Sequence, residues 1–276
     1  MLDMLQYEFA RNAIMTGLLA SIACGIIGSY VVIKRIVFIS GGMAHTAFGG
    51  IGLGYYLGIN PIVGAAFFSI GSALALGIIT KKTDQREDAV VGVLWAIGVA
   101  LGIIFIALTP GYAPDLMSYL FGDILMVPFY DIILILALDS IIVFVVLLLY
   151  KEFLALCFDE EFTEVTGIPT LSLYLILLCL IAMTIVILIR VVGIILVIAL
   201  LTMPAAISSQ FTYNLKKIMI ISILLGIVFT TSGIMASYYF DLPSGATIIL
   251  VSGTIYVLTL LYKKVLYRKD YQMEGR

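Results

Sequence analysis

Apolar positions along this chain fall in long unbroken runs, without the alternation or three-to-four-residue stripe of a soluble domain. Nine such runs occupy roughly residues 13–33, 36–57, 62–80, 89–109, 129–149, 171–189, 191–210, 218–239 and 246–262. A spanning helix takes about 20 mostly apolar residues to cross roughly 30 Å of hydrocarbon, and each run is of that order. The breaks carry turn or charge chemistry: Lys34-Arg35, Asn60-Pro61, Lys81 to Asp88, Pro110 to Pro128, Lys151 to Pro169, Asn214 to Lys217 and Asp241 to Gly245. The pattern predicts an all-α fold, a polytopic transmembrane helical bundle of about eight to ten spans. No room is left for a separate soluble domain, so residues 1–276 read as one membrane domain with its longest polar break at 151–169.

Composition agrees. Of 276 residues, 63% are hydrophobic and only 12% charged, with a mean hydropathy of +1.19; a soluble surface needs far more polar area. A net charge of −2 with no basic tract argues against nucleic acid or another polyanion as partner. Cys24, Cys157 and Cys179 make no close-spaced pair, so neither a structural zinc site nor a disulfide framework is indicated. Ser21-Ile22-Ala23-Cys24 looks faintly like a lipoprotein cleavage box, but its apolar run continues past the cysteine, as in a retained helix.

Positive charge sets the orientation. With the N-terminus outside, the loops holding Lys34, Arg35, Lys81, Lys82, Arg86, Lys151, Lys216 and Lys217 all fall in the cytoplasm. The tail with Lys263, Lys264, Arg268, Lys269 and Arg276 joins them, which makes 13 of the 15 basic residues and leaves Arg11 and Arg190 outside. An extra or re-entrant span within 110–128, where Ser118 to Val127 is apolar, would move the N-terminus inside.

Candidate chemistry is sparse. Gly50, Gly54 and Gly58 repeat at every fourth position of the second run, and Gly98 and Gly102 do so in the fourth; small residues so spaced let helices approach closely in lipid. His45, the only histidine, lies midway along the second run beside Met43 and Thr46. A titratable ring there is costly, which makes it a site candidate, and imidazole ligates zinc, manganese and iron. The alternative is a core histidine bonded to a backbone carbonyl or to Thr46. Pro204 interrupts the seventh run and predicts a kink, and broken helices at the midplane are where transporters often build sites. Asp139 sits mid-span in the fifth run and Arg190 ends the sixth; Asp139 could hold a cation, pair with another group, or serve as a polar packing residue. In the 151–169 segment, Asp159 to Glu164 can cap and begin a short helix that Gly167 and Pro169 end. Its acid side chains, with Phe158, Phe162 and Val165, suit docking on a soluble partner as well as a solvated connector. There is no GxxxxGK[ST] phosphate loop and no HExxH motif, so the chain cannot itself run ATP by the usual nucleotide fold.

Three passages resemble the permeases of the manganese, zinc and iron ABC importers fed by a cluster-9-type solute-binding protein. Gly41 to Gly54 looks like that family's histidine-bearing helix, Phe158 to Gly167 like its coupling segment, and Val192 to Ala206 like its V-G-x-L-L-V-x-A-L-L-x-x-P-A-A signature; Phe121-Gly122-Asp123-Ile124-Leu125 adds a smaller match. The resemblance implies a type II ABC importer-like permease in the cell membrane, working as a homodimer with a separate ATPase and an extracytoplasmic metal-binding protein. It implies no permanently bound cofactor, with zinc, manganese or iron as cargo. The path would be lined by His45, as metal ligand, together with Met43, Thr46, Asp139 and Pro204. Asp159, Glu160, Glu161, Thr163, Glu164 and Gly167 would face the ATPase. The chain departs from the family in three places. Gly41 stands where the family often has an aspartate, one turn before the histidine, which removes a hard ligand. Ala44 replaces the serine of a Ser-His pair, and Thr163 replaces the coupling alanine. Competing classes are a secondary carrier using Asp139 as its proton or sodium site, and the permease of a siderophore or corrinoid ABC importer. An intramembrane enzyme is the weakest option, since no nucleophile–base pair or metal motif is visible.

Overall fold

A computed structural model describes residues 6–83, 85–110, 119–120 and 122–274, with side chains up to residue 264. The helices in chain order are α1 (Glu8–Ile33), α2 (Val37–Leu57), α3 (Pro61–Lys82), α4 (Glu87–Leu108), α5 (Phe129–Leu148), α6 (Tyr150–Phe158), α7 (Glu160–Val165), α8 (Thr170–Val192), α9 (Ile194–Ser208), α10 (Leu215–Phe240) and α11 (Ser244–Glu274). Among the described residues no strand occurs, and a 3₁₀ turn at Ile124–Met126 precedes α5. All nine predicted runs are helices. Seven are long and apolar enough to span a membrane unaided. The other two explain themselves: α2 has 21 residues but six glycines, and α9 has only 15, about 22 Å of helix. The chain is a multi-pass membrane protein.

Polar contacts sort the turns into two ends. At one end lie the Lys34 and Lys81 contacts to Glu160, the Tyr174 hydroxyl donating to Glu87 (3.0 Å), Lys216 over the Tyr150 ring and Lys263 donating to the Gln210 carbonyl (2.8 Å). At the other lie Asn12 donating to the Val127 carbonyl (3.1 Å), the Arg190–Asp131 ion pair and the Tyr55–Tyr119 hydroxyl pair. This is the grouping that the positive-charge count requires. Helix α4 ends and α5 begins on the side away from the lysines, which bounds the stretch between them. The Ser118 and Phe121 part of that stretch lies outside the described residues.

Packing is by small residues, as lipid demands. Helix α1 is the most enclosed and packs on α5, α9 and α10. Helix α2 is wedged between α3 and α4. A Cβ on Gly50 would overlap the Gly64 carbonyl, one on Gly98 would sit 2.6 Å from the Thr46 Cα, and one on Gly102 would sit 2.7 Å from the Phe48 carbonyl. The spaced glycines therefore serve packing within one chain. Gly58 is the exception: it is the left-handed C-cap of α2 (φ 68°), and a Cβ there would meet nothing within 4 Å. The Asn60 side chain accepts from the Ile62 amide and Pro61 takes the first position of α3, a strong start signal.

The signature passage differs from the expectation in one respect. Helix α9 runs unbroken through Pro204; the interruption falls at Gly193, a single residue between α8 and α9 with φ 78° and ψ 160°. Only glycine takes that backbone cheaply. Pro204 sits buried in the second half of a short helix, and Leu200, whose carbonyl its ring leaves unbonded, is buried too.

The backbone crossings predict a sharp volume limit. Gly50→Leu is expected to cost at least about 2–3 kcal/mol of stability, read as a lowered melting temperature of the detergent-solubilised protein, whereas Gly71→Leu, which faces open space, leaves it unchanged. Equal melting of both variants would contradict the packing account.

Candidate functional site

Two sets of predicted residues must be located: the path set on α2, α5 and α9, and the coupling set on α7.

On α2, helical spacing splits the path residues between faces. Met43 and Thr46 are buried toward α3 and α4. They line a narrow cleft with Ser72, Leu76 and Leu94, where the Thr46 hydroxyl donates to the Met43 carbonyl (2.9 Å) and pairs with Ser72 Oγ (2.9 Å). His45 points elsewhere. Its half-buried ring stacks on Trp95 of α4, centroids 4.2 Å apart and planes 7° from parallel, with Phe48 6.2 Å away. It makes no hydrogen bond to any described residue, so the histidine bonded to Thr46 or a carbonyl is not found. Gly41, one turn earlier, has nothing within 4 Å of where a Cβ would be. Gly41 and His45 thus share a face of α2 that stays open beside α4, a helix that buries little of its own surface.

The structure does not bring Asp139 to this place. It lies on α5, which packs on α1 and α8, and is 4% exposed with neither carboxyl oxygen bonded. Pro204 is on α9, whereas the His45 stack is made by α2 and α4. Among the described residues no three His, Cys, Asp or Glu side chains converge as a metal cage. Arg190 pairs with Asp131 at 3.1 Å. Sequence reasoning missed two partners: Trp95 for His45 and Asp131 for Arg190. Only the shared end of the membrane hinted at the second.

The coupling set is brought together, and it divides into two sides. Asp159 caps α7 by accepting from the Phe162 amide (2.8 Å). Gly167, at φ 84°, turns the chain out of it. On the inner side, Thr163 is buried and Glu160 forms a node. One carboxylate oxygen accepts from Lys34 Nζ at 3.0 Å, the other from Lys81 Nζ. Lys34 and Lys81 also lie 5.2 and 5.5 Å from the Tyr174 ring centroid, and the Tyr174 hydroxyl donates to Glu87. Glu160 therefore ties the ends of α1 and α3 to α7, and the Tyr174 ring beside the same two lysines extends the cluster to the starts of α8 and α4. Burial pushes the Glu160 carboxyl up, but the hydrogen bonds and charges of Lys81 and Lys34 outweigh it and hold the group below its ordinary value. On the outer side, Glu161 and Glu164 project into solvent beside Phe158 (63% exposed), Phe162 (65%) and Val165 (86%). Large apolar side chains this exposed outside the membrane, rimmed by acids, mark a contact surface.

Comparison with known proteins places the chain. The ABC 3 transport family matches residues 6–263. The chain is 50% identical to an uncharacterised membrane protein of Synechocystis over 96% of this chain and 94% of that one. It is 32% identical to the manganese transport system membrane protein MntC of Listeria monocytogenes (94% and 92%) and 32% identical to a probable iron transport system membrane protein of Haemophilus influenzae (97% and 98%). A solved chain of PsaBC from Streptococcus pneumoniae, in complex with a Fab, superposes with a TM-score of 0.83 at 26% identity, covering 94% of this chain and 93% of that one.

The Glu160 node titrates in the acid range. Its folded pKa is lowered, so its contribution is complete above the ordinary carboxylate value of 4.5 and is lost as pH falls through the folded value. A spin label on the exposed Glu164→Cys site is expected to keep its neutral-pH mobility down to that region and to become more mobile below it. In a Glu160→Gln background it should be loose throughout. Loosening near neutral pH instead would contradict the node.

Helical bundle, two-ended topology, signature passage and outward elbow agree with the match: ATP chemistry resides on a separate subunit, and this chain belongs to the ABC 3 transport family.

Proposed function

We propose that this chain is the permease of an ATP-driven importer for a divalent transition metal ion, with manganese and iron, the metals in its relatives' names, ahead of zinc. The observation that carries this reading is the two-sided elbow. Helix α7 presents an apolar, acidic face that no described residue covers, while its other face is pinned by Glu160 to Lys34 of α1 and Lys81 of α3, whose cluster with Tyr174 and Glu87 reaches α8 and α4. A soluble ATPase seated on the outer face would move α1, α3, α4 and α8 together. The basic end is then cytoplasmic, and a solute-binding protein would deliver the ion at the opposite end.

The path forms where two copies of the chain meet, with the open Gly41–His45 face of α2 lining it and α4 covered by the second copy. His45 is the one imidazole available as ligand. With glycine at position 41 no carboxylate stands beside it, so the ion is held weakly and passes on. That suits conduction, in which a bound ion must leave as readily as it enters. Met43 and Thr46 shape the other face of α2, and Pro204 shapes α9 beside it.

One observation favours a second reading. Asp139 is buried and mid-span, with no hydrogen-bond partner among the described residues, which is how a secondary carrier would hold a proton or sodium site.

Two substitutions test the roles. His45→Ala is expected to lower uptake at limiting manganese by about tenfold, the cost of about 1.4 kcal/mol of lost ion binding, while assembly with the ATPase is unchanged; wild-type uptake would refute the ligand role. Glu161→Lys, on the exposed face, is expected to leave the chain folded but uncouple ATP hydrolysis from transport in proteoliposomes. Intact coupling in that variant would refute the docking face.

A further inference from the structure

Along α5 the surface carries two apolar hollows that join. One, of about 400 Å³, lies between α1 and α5, with Leu19, Ile22, Leu136 and Asp139 among its walls. The other, of about 760 Å³, continues it toward the basic end between α1, α5 and α10, with Ile26, Met219 and Ile223. Val143 and Leu147 line both, so the two form one trough. From the level of Asp139 to that of Tyr150 is eleven residues, about 16 Å of helix. That is half of the roughly 30 Å hydrocarbon core, the depth of a single leaflet.

The mouth of this trough is polar in a specific way. Tyr150, Lys151, Glu152 and Lys216 line it, and the Lys216 ammonium sits 4.9 Å over the Tyr150 ring. Two lysines against one glutamate leave one net positive charge, at the level where α5 ends and headgroups begin. A tyrosine at that level is the usual interfacial anchor.

We propose that this trough is a binding site for a phospholipid with an anionic headgroup, its acyl chain lying along Val143 and Leu147 and its phosphodiester between Lys151 and Lys216. Charge selects this occupant. A phosphodiester with one net negative charge neutralises the mouth, whereas a zwitterionic lipid leaves it charged. A second copy of the chain packed on α5 by a two-fold axis along the membrane normal would bring the same lysines toward one another. The site is independent of the transport reading, since none of its residues belongs to the α2 face or to α7.

The test uses the full chain in detergent titrated with defined lipids, phosphatidylglycerol against phosphatidylcholine, with binding read by native mass spectrometry. Phosphatidylglycerol is expected to bind about tenfold or more tightly, from about 1 kcal/mol per lysine near a headgroup. Lys151→Gln with Lys216→Gln is expected to abolish the preference while the protein keeps its wild-type melting temperature. Val143→Trp, which fills the trough but leaves the lysines, should weaken both lipids alike. Equal binding of the two lipids by the wild-type chain would overturn the proposal. So would a preference that survives the double lysine substitution, or ready disulfide formation between Leu147→Cys residues of two copies in membranes.

Discussion

One carboxylate joins the part of this molecule outside the bilayer to the part inside it. Between spanning helices in lipid there is no hydrophobic drive, and an elbow of six residues such as α7 has too little apolar surface to anchor itself. Its connection to the bundle depends on charge-assisted hydrogen bonds, which are about twice as strong as neutral ones. Glu160 supplies them to Lys34 and Lys81 at once. Because Lys34 ends α1 and Lys81 ends α3 while Tyr174 and Glu87 extend the cluster into α8 and α4, a displacement of α7 is shared by four helices. Without that node the outer face of α7 would be held to the bundle only by buried Thr163 and by its chain connections to α6 and α8.

The second constraint acts within the membrane. Helix α2 gives up side-chain volume at Gly50, Gly98 and Gly102 contacts so that its backbone can lie against α3 and α4, and this fixes its rotation. Met43 and Thr46 then face the interior of the chain while Gly41 and His45 face its open side. The stack on Trp95 holds the imidazole by its face, and neither ring nitrogen bonds a described residue, so one can accept a ligand while the other donates. The packing that makes α2 immobile is thus also what leaves its histidine available.

Much of this was legible in the sequence. Long apolar runs fixed nine helices, because a bilayer imposes both their length and the placement of charge at their ends. The end grouping of Lys34, Lys81 and Lys216 followed from the same rule. The coupling residues were visible as a set, but not their division, since which of Glu160, Glu161 and Glu164 turns inward depends on where the lysines of other helices lie. The stack of His45 on Trp95 and the separation of His45 from Asp139 were likewise hidden: in an apolar helix every face looks alike, so periodicity cannot say which side meets a neighbour. The break at Gly193 in place of Pro204 has a local cause. Proline was the stronger signal in one dimension, yet a membrane helix can absorb it, while a reversal within a single residue needs positive φ.

The account stands on the chain being a passage that another protein drives. Purified and reconstituted in proteoliposomes, it should move no manganese when a proton or sodium gradient alone is imposed, and should transport it only when its ATPase subunit is added and ATP is hydrolysed. Gradient-driven cation uptake by the chain alone, abolished by Asp139→Asn, would contradict it.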